Sequence, residues 1–278
     1  MINKLNNLLE NSSKKSIIMG VINITPDSFS GDGLCNNKLS AFDRALQMVD
    51  QGADIIDIGG ESTRPGAEPV SLQEEINRTI PLIQALSSRM PVPLSIDTYK
   101  AEVARQAVEA GAVIINDISG LRADSGMKTV AASSGAYLVI MHMKGIPKNM
   151  QIDPTYEALI PEISEYFRQG IATALNAGVD EKKIMLDPGI GFGKTVRHNL
   201  EILNRLYEFK MIGRPIVVGV SRKSFIGKIL DNAPADSRLE GTAAAVAASI
   251  MKGADILRVH DVNEMVKVAR VVDAIRNA

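Results

Sequence analysis

The chain has no tryptophan, a single cysteine and only three histidines in its 278 residues. One cysteine, Cys35, excludes an internal disulfide framework and a multi-cysteine zinc site. It stands in a polar stretch beside Asp32, Asn36 and Asn37, which favours an ordinary loop thiol over a catalytic one. His142, His198 and His260 show no helical metal-binding spacing, so a protein-held catalytic zinc is not expected. Excess charge of either sign is also missing: 31 Lys and Arg stand against 32 Asp and Glu, a net charge of -1. Without a global field to attract nucleic acid or an anionic membrane, any anion site must be built locally. Long apolar runs are absent too. "MINKLNNLLENSSKK" carries no secretory core, and "GTAAAVAASIM" falls well short of the roughly 20 apolar residues of a membrane span. The expected compartment is the cytoplasm, with small molecules rather than nucleic acid or membrane as partners.

What the chain does have is a recurring unit. Short Val- and Ile-rich runs appear at 16–23, 53–60, 92–97, 112–118, 137–143, 183–189, 215–221 and 255–260. Such continuous apolar runs suit parallel strands covered on both faces. Between them, "AFDRALQMVDQGA", "AEVARQAVEAGA" and "LEGTAAAVAASIMKGA" repeat apolar residues at helical spacing and end at Gly52, Gly111 and Gly253. Glycine ends a helix well because it tolerates a left-handed backbone. Ser71 followed by Glu74 predicts a capping box. The cassette of helix, Gly-Ala, strand and polar residue recurs at 51–57, 110–117, 134–142 and 252–260. Strands alternating with helices over this length predict an α/β fold of the (β/α)8 TIM barrel type, one domain over 16–278 preceded by an extension at 1–15. A doubly wound open sheet should carry a glycine-rich phosphate fingerprint after its first strand, and "NITPDSFS" lacks one.

Barrels of this kind place functional side chains at the C-terminal ends of their strands. Those ends read Asn23, then Thr63 and Arg64, Asp97, Asn116, His142, Asp187, Lys223, and Arg258 with His260. Helix capping explains an Asp, Asn or Thr singly, but not Lys or Arg. Arg258 and His260 lie two residues apart on one side of a strand, a spacing that suits an anion clamp joined by Arg64. Asp97, Asn116, Asp187 and Lys223 offer two carboxylates, an amide and an ammonium, a set complementary to a planar heterocycle with N–H groups and ring acceptors. "DPGIGFGKT" imitates a phosphate-binding loop, but the first glycine of that pattern falls on Pro188, which has no amide hydrogen. Its glycines are read instead as letting backbone turn around a flat ligand. His142 reads first as a buried, hydrogen-bonded histidine and His198 as a surface residue. No nucleophile–base triad is visible, so the chemistry suggested is positioning plus stabilisation of a departing anion.

"MGVINITPDSFS", "DIGGESTRPGA", "SIDTYK", "NDISGL", "MHMKGIPKNMQ", "LDPGIGFGKT", "GVSRKSFIG" and "RVHDV" together resemble, in order and from about residue 16 to 270, the dihydropteroate synthase family. The resemblance implies a barrel enzyme of folate biosynthesis. It would join 6-hydroxymethyl-7,8-dihydropterin diphosphate to 4-aminobenzoate, releasing pyrophosphate and forming 7,8-dihydropteroate. By the same resemblance Asp97, Asn116, Asp187 and Lys223 hold the pterin, and Thr63, Arg64, Arg258 and His260 hold the diphosphate. Ser224, Phe192 and Pro65 lie toward the aminobenzoate, and Asn23 is associated with magnesium (Mg2+). The family is a sulfonamide target and commonly a homodimer. Pterin-dependent methyltransferases share the Asp and Asn positions but need no diphosphate clamp, so Arg64, Arg258 and His260 favour the synthase. Two departures stand out: "SFSGDGL" where "SFSDGG" is common, which displaces Asp32 by one, and Tyr99 where a small Ser is common.

Overall fold

A computed structural model of the chain describes residues 1–24, 38–62, 66–146 and 148–278, with backbone alone for 38–40. Eight strands follow the predicted runs: β1 (Ile17–Asn23), β2 (Ile55–Gly59), β3 (Leu94–Asp97), β4 (Ile114–Asp117), β5 (Tyr137–Met141), β6 (Ile184–Asp187), β7 (Val217–Val218) and β8 (Ile256–Val259). Every adjacent pair is parallel, in the order β6-β5-β4-β3-β2-β1-β8-β7. The two outer strands meet through a parallel bridge from Leu186 to Ile216, and the Leu186 amide donates to the Pro215 carbonyl at 2.9 Å, so the sheet comes round into a barrel. Strand β7 is shorter than the run at 215–221. Pro215 has no amide to donate, and the Ile216 amide is taken by Asp255 Oδ2 at 2.7 Å.

Helices occupy the intervals: α1 (Ile2–Glu10), α2 (Lys38–Asp50), α3 (Leu72–Ser87), α4 (Ala101–Glu109), α5 (Met127–Ser134), α6 (Leu159–Asn176), α7 (Val196–Asn204), α8 (Tyr207–Lys210), α9 (Ser224–Ile229), α10 (Leu239–Met251) and α11 (Val262–Arg276). The chain leaves α2, α4 and α10 through Gly52, Gly111 and Gly253, with φ of 104°, 118° and 99°, conformations that suit glycine. The predicted capping box at Ser71 is only half made. Ser71 Oγ accepts from the Glu74 amide at 3.2 Å, but the Glu74 carboxylate turns to Arg78 one helical turn on. The complete box is at Thr195 and His198, so His198 is a half-buried capping residue rather than a loose surface one.

The core has two parts. The larger lies between sheet and helices, and the smaller fills the barrel interior with Ile17, Met19, Ile55, Ile114, Tyr137, Val139, Met185, Val217 and Ile256. Leu5 of α1, fully buried, joins this inner cluster, so the first helix plugs the N-terminal end of the barrel. No helix among the described residues is long and apolar enough to cross a membrane.

Candidate active site

Side chains alternate along a strand, so the residue two places beyond an inward apolar one also points inward, one layer nearer the mouth. Two places beyond Ile55, Ile114, Met185 and Ile256 stand Asp57, Asn116, Asp187 and Arg258. The interior thus changes from hydrocarbon to charge within one layer. Strand register extends the pattern: Asn23 pairs with Gly59, Gly59 with Asp97, and Asp97 with Asn116. Beyond Val217 the inward position is Gly219, where an added Cβ would meet Arg258 Cβ at 3.8 Å and Lys223 Nζ at 4.0 Å. The missing side chain leaves space between those two cations.

Arg258 ties this layer together. Its Nε donates to Asp57 Oδ2 and its Nη2 to Asp97 Oδ2, each at 2.6 Å. Asn116 Nδ2 also reaches Asp57 Oδ2 at 3.4 Å. Asp57 Oδ1, Asp97 Oδ1 and Asn116 Oδ1 are buried without a hydrogen-bond partner among the described residues. Buried acceptors are rarely left unmatched, and three in one layer mark a place that receives N–H groups from a ligand. Burial pushes Asp97 up to about 7; Arg258 opposes the rise, while Asp57, Glu75 and Asp187 add to it. The carboxylate therefore takes up and releases a proton near neutrality.

Asp187, 5% exposed, accepts the Gly189 amide at 2.7 Å. Burial raises its pKa, with Lys223 the chief opposing influence and Arg258 a weaker one, which places Asp187 and Arg258 in one electrostatic site. Lys223 donates to the Ile190 carbonyl and lies 4.5 Å from the Phe192 ring centroid. Burial lowers its ammonium to about 8, against the pull of Asp187. Lys223 is presented by Arg222, whose φ of 59° is unusual for a non-glycine residue. That turn is held by the Arg222–Asp261 ion pair and by Arg238 Nη1 donating to the Arg222 carbonyl at 2.8 Å. Ser224, the next residue, is exposed.

The expected anion clamp is only partly in view. Thr63, Arg64 and Pro65, like Asp32 and Cys35, lie outside the described residues. Arg258, grouped with His260 from the sequence, is engaged by the two carboxylates below. His260 Nδ1 sits 3.1 Å from Ser221 Oγ and borders a cavity of about 710 Å³ lined also by Asp43, Arg44, Gln47 and Glu264. Burial and the nearby Arg258 and Arg222 push His260 down to about 4, so at neutral pH its ring carries no charge. Asn23, half-buried, extends its amide oxygen over Gly59, where an added Cβ would come within 3.3 Å of Oδ1.

His142 does not join the rim. Met141 has the inward phase on β5, so His142 faces the helix layer, 4% exposed and 4.7 Å from Tyr166 between ring centroids. Lys194 meets its Nδ1 at 2.9 Å and the Phe192 carbonyl at 2.9 Å. Burial pushes both His142 and Lys194 toward their neutral forms. Lys194 therefore pins one loop to another. Two glycines of "DPGIGFGKT" make their closest approach to protein backbone: a Cβ at Gly189 would lie 1.9 Å from the His142 oxygen and one at Gly193 2.2 Å from the Lys144 oxygen. Gly191 instead makes room for the Lys223 side chain, whose Cδ a Cβ would meet at 3.0 Å.

Three features escaped the sequence reading. Asp57 could have been found by counting two residues back from Gly59. Lys194 carries no such signal, because only folding buries it. Tyr99 donates to Glu61 Oε1 at 2.7 Å, and Lys100 bridges Glu61 and Glu75 at 2.5 Å each. Lys100 also donates to the Val70 carbonyl at 2.8 Å, so residues 61 and 70 are held together.

A family model for pterin-binding enzymes matches residues 19–260. A dihydropteroate synthase of Synechocystis sp. is 50% identical over 94% of this chain and 91% of its own length. Among solved structures, a Clostridium difficile dihydropteroate synthase crystallised in the presence of pteroic acid superposes with a TM-score of 0.89 at 46% identity, covering 95% of this chain and 97% of that one. A Xanthomonas albilineans dihydropteroate synthase with 4-aminobenzoic acid gives a TM-score of 0.90 at 38% identity, covering 96% and 95%.

Proposed function

The chain belongs to the pterin-binding enzyme family, as a transferase of folate biosynthesis with dihydropteroate synthase activity, and from that premise we propose which of its residues carry the reaction. The observation that bears most weight is the layer of unmatched buried acceptors beside Asp187 and Lys223. Asp187 accepts N–H groups from one edge of the pterin, and Asp97 and Asn116 accept along the other. Lys223 donates to the ring carbonyl and moves off the Ile190 oxygen to do so. The charge that develops on the pterin methylene as the C–O bond breaks lies close to the Asp97 carboxylate. Arg258, His260, Thr63 and Arg64 hold the departing diphosphate. The amine of 4-aminobenzoate enters from the side of Phe192, Ser224 and Pro65. Fixed charges and donors at the leaving group and the ring supply most of the acceleration.

Magnesium fits this end of the barrel through Asn23, whose amide oxygen is the hard, neutral donor that the ion accepts alongside water and substrate phosphate oxygens. When bound, it offsets charge on the diphosphate. The enzyme works in the cytoplasm as a homodimer; exposed Met251 of α10 with Val271 and Ile275 of the neighbouring α11 would be covered by a second copy. The direct test mixes both substrates with magnesium and follows pyrophosphate and 7,8-dihydropteroate. Pterin bound without turnover would contradict the assignment. Asp187→Ala should abolish pterin binding in calorimetry, and an unchanged affinity removes that residue from the pocket.

A further inference from the structure

The Nε–Nη2 edge of an arginine has the shape to grip one carboxylate with two parallel hydrogen bonds. Arg258 does not use it so. The edge is divided: Nε goes to Asp57 and Nη2 to Asp97. One guanidinium thus serves two carboxylates, each of which retains a buried, unpartnered oxygen. Asp57 is fully buried on β2, two residues before Gly59, and although its Oδ1 belongs to the layer of unmatched acceptors, no role of its own has been assigned to it.

We propose that Asp57 is a positioning residue for pterin binding: by taking the Arg258 Nε–H it keeps the guanidinium from closing on Asp97, and so leaves Asp97 Oδ1 open to the ring N–H groups. The proposal deepens the assignment above and rests on its placement of the pterin. Without Asp57, the same edge of Arg258 rotates onto both oxygens of Asp97, where the bidentate pair is favoured. The pterin then meets an acceptor already occupied. The groups facing Asp97 are Arg258 from β8, Asp57 from β2, Glu75 from α3, Asp187 from β6 and Lys223 beyond β7. Of these, only Asp57 competes with Asp97 for the arginine edge among the described residues.

Asp57→Asn preserves volume and removes the charge. Binding of 6-hydroxymethylpterin to the full chain is measured by calorimetry from pH 5.5 to 8.5, for the wild type and the variant. The variant should bind roughly tenfold or more weakly above pH 8, the loss of one hydrogen bond to a charged group. Its acid limb should also move to lower pH, because a closed Arg258–Asp97 pair favours the ionised carboxylate. Removing the Asp57 charge moves that limb the same way by itself, so the limb counts only together with the affinity loss, and a purely structural role would lower stability with pterin affinity unchanged. Unchanged affinity above pH 8 would overturn the proposal, whatever the limb does. A wild type that binds no pterin would instead refute the functional assignment beneath it. If Asp57→Asn does not fold, the smaller, uncharged Asp57→Ser is held to the same two outcomes; and if neither folds, Asp57 is a folding residue and the positioning role is rejected.

Discussion

Replacing Arg258 by methionine tests the electrostatic layer most directly. The arginine side chain is 19% exposed, and its partners Asp57 and Asp97 are 0% and 6% exposed. Methionine keeps much of the aliphatic stem but leaves two buried carboxylates without a counter-charge. Removing one partner of a buried ion pair costs about 3–5 kcal/mol, mainly because the remaining charge is stranded. The variant can escape part of this by protonating the carboxylates, so the penalty depends on pH. In the wild type Arg258 holds the Asp97 pKa down to about 7 against burial. In the variant the folded-state value rises further above that of the unfolded chain. A carboxylate raised in the folded state destabilises as pH rises from the unfolded value through the folded one. The loss should therefore be smallest near pH 5 and grow by up to about 1.4 kcal/mol per pH unit for each proton taken up on folding. Urea unfolding at pH 5, 6.5 and 8 reads this directly. A loss below about 1 kcal/mol, or one flat across that range, contradicts a buried charge layer centred on Arg258.

Pterin affinity should be bell-shaped in pH, rising as Asp97 ionises near 7 and falling as Lys223 loses its proton near 8, and calorimetric titration would expose a flat profile. Gly189→Ala should cost roughly 2–4 kcal/mol in thermal or urea unfolding, since φ is 65° and the new Cβ would fall 1.9 Å from the His142 oxygen. Thr195→Ala removes the capping oxygen of α7 and should cost about 1 kcal/mol with little effect on kcat; a large kcat loss at unchanged stability would speak against a capping role. Lys194→Met, which severs the link from His142 to the Phe192 carbonyl on the aminobenzoate side, should raise KM for 4-aminobenzoate more than for the pterin substrate. Equal changes would show that the loop is not held through that lysine.

Much of this molecule is legible because barrel geometry repeats. Each strand announces itself as an apolar run, and the ends of α2, α4 and α10 as a glycine, and all eight strands fell within their predicted runs. Asp97, Asn116, Asp187 and Lys223 could be named because the C-terminal end of a strand has one destination in such a fold. Local signals failed where alternatives compete over short range. Glu74 preferred Arg78 to its own capping box, and Pro215 with Asp255 shortened β7.

The one-dimensional pattern thus determined the element order, the parallel sheet and the end of the barrel at which polar side chains gather. It could not decide pairings between residues far apart in the chain. Arg258 meets Asp57 across 201 positions and Asp97 across 161, and nothing local specifies either contact. Strand phase placed His142 outside the rim and Asp57 within it, because a single residue's displacement reverses the direction of a side chain. Burial then set the protonation of Asp97, Lys223, Lys194 and His260. Desolvation depends on what surrounds a group in space, and only the folded chain supplies those surroundings.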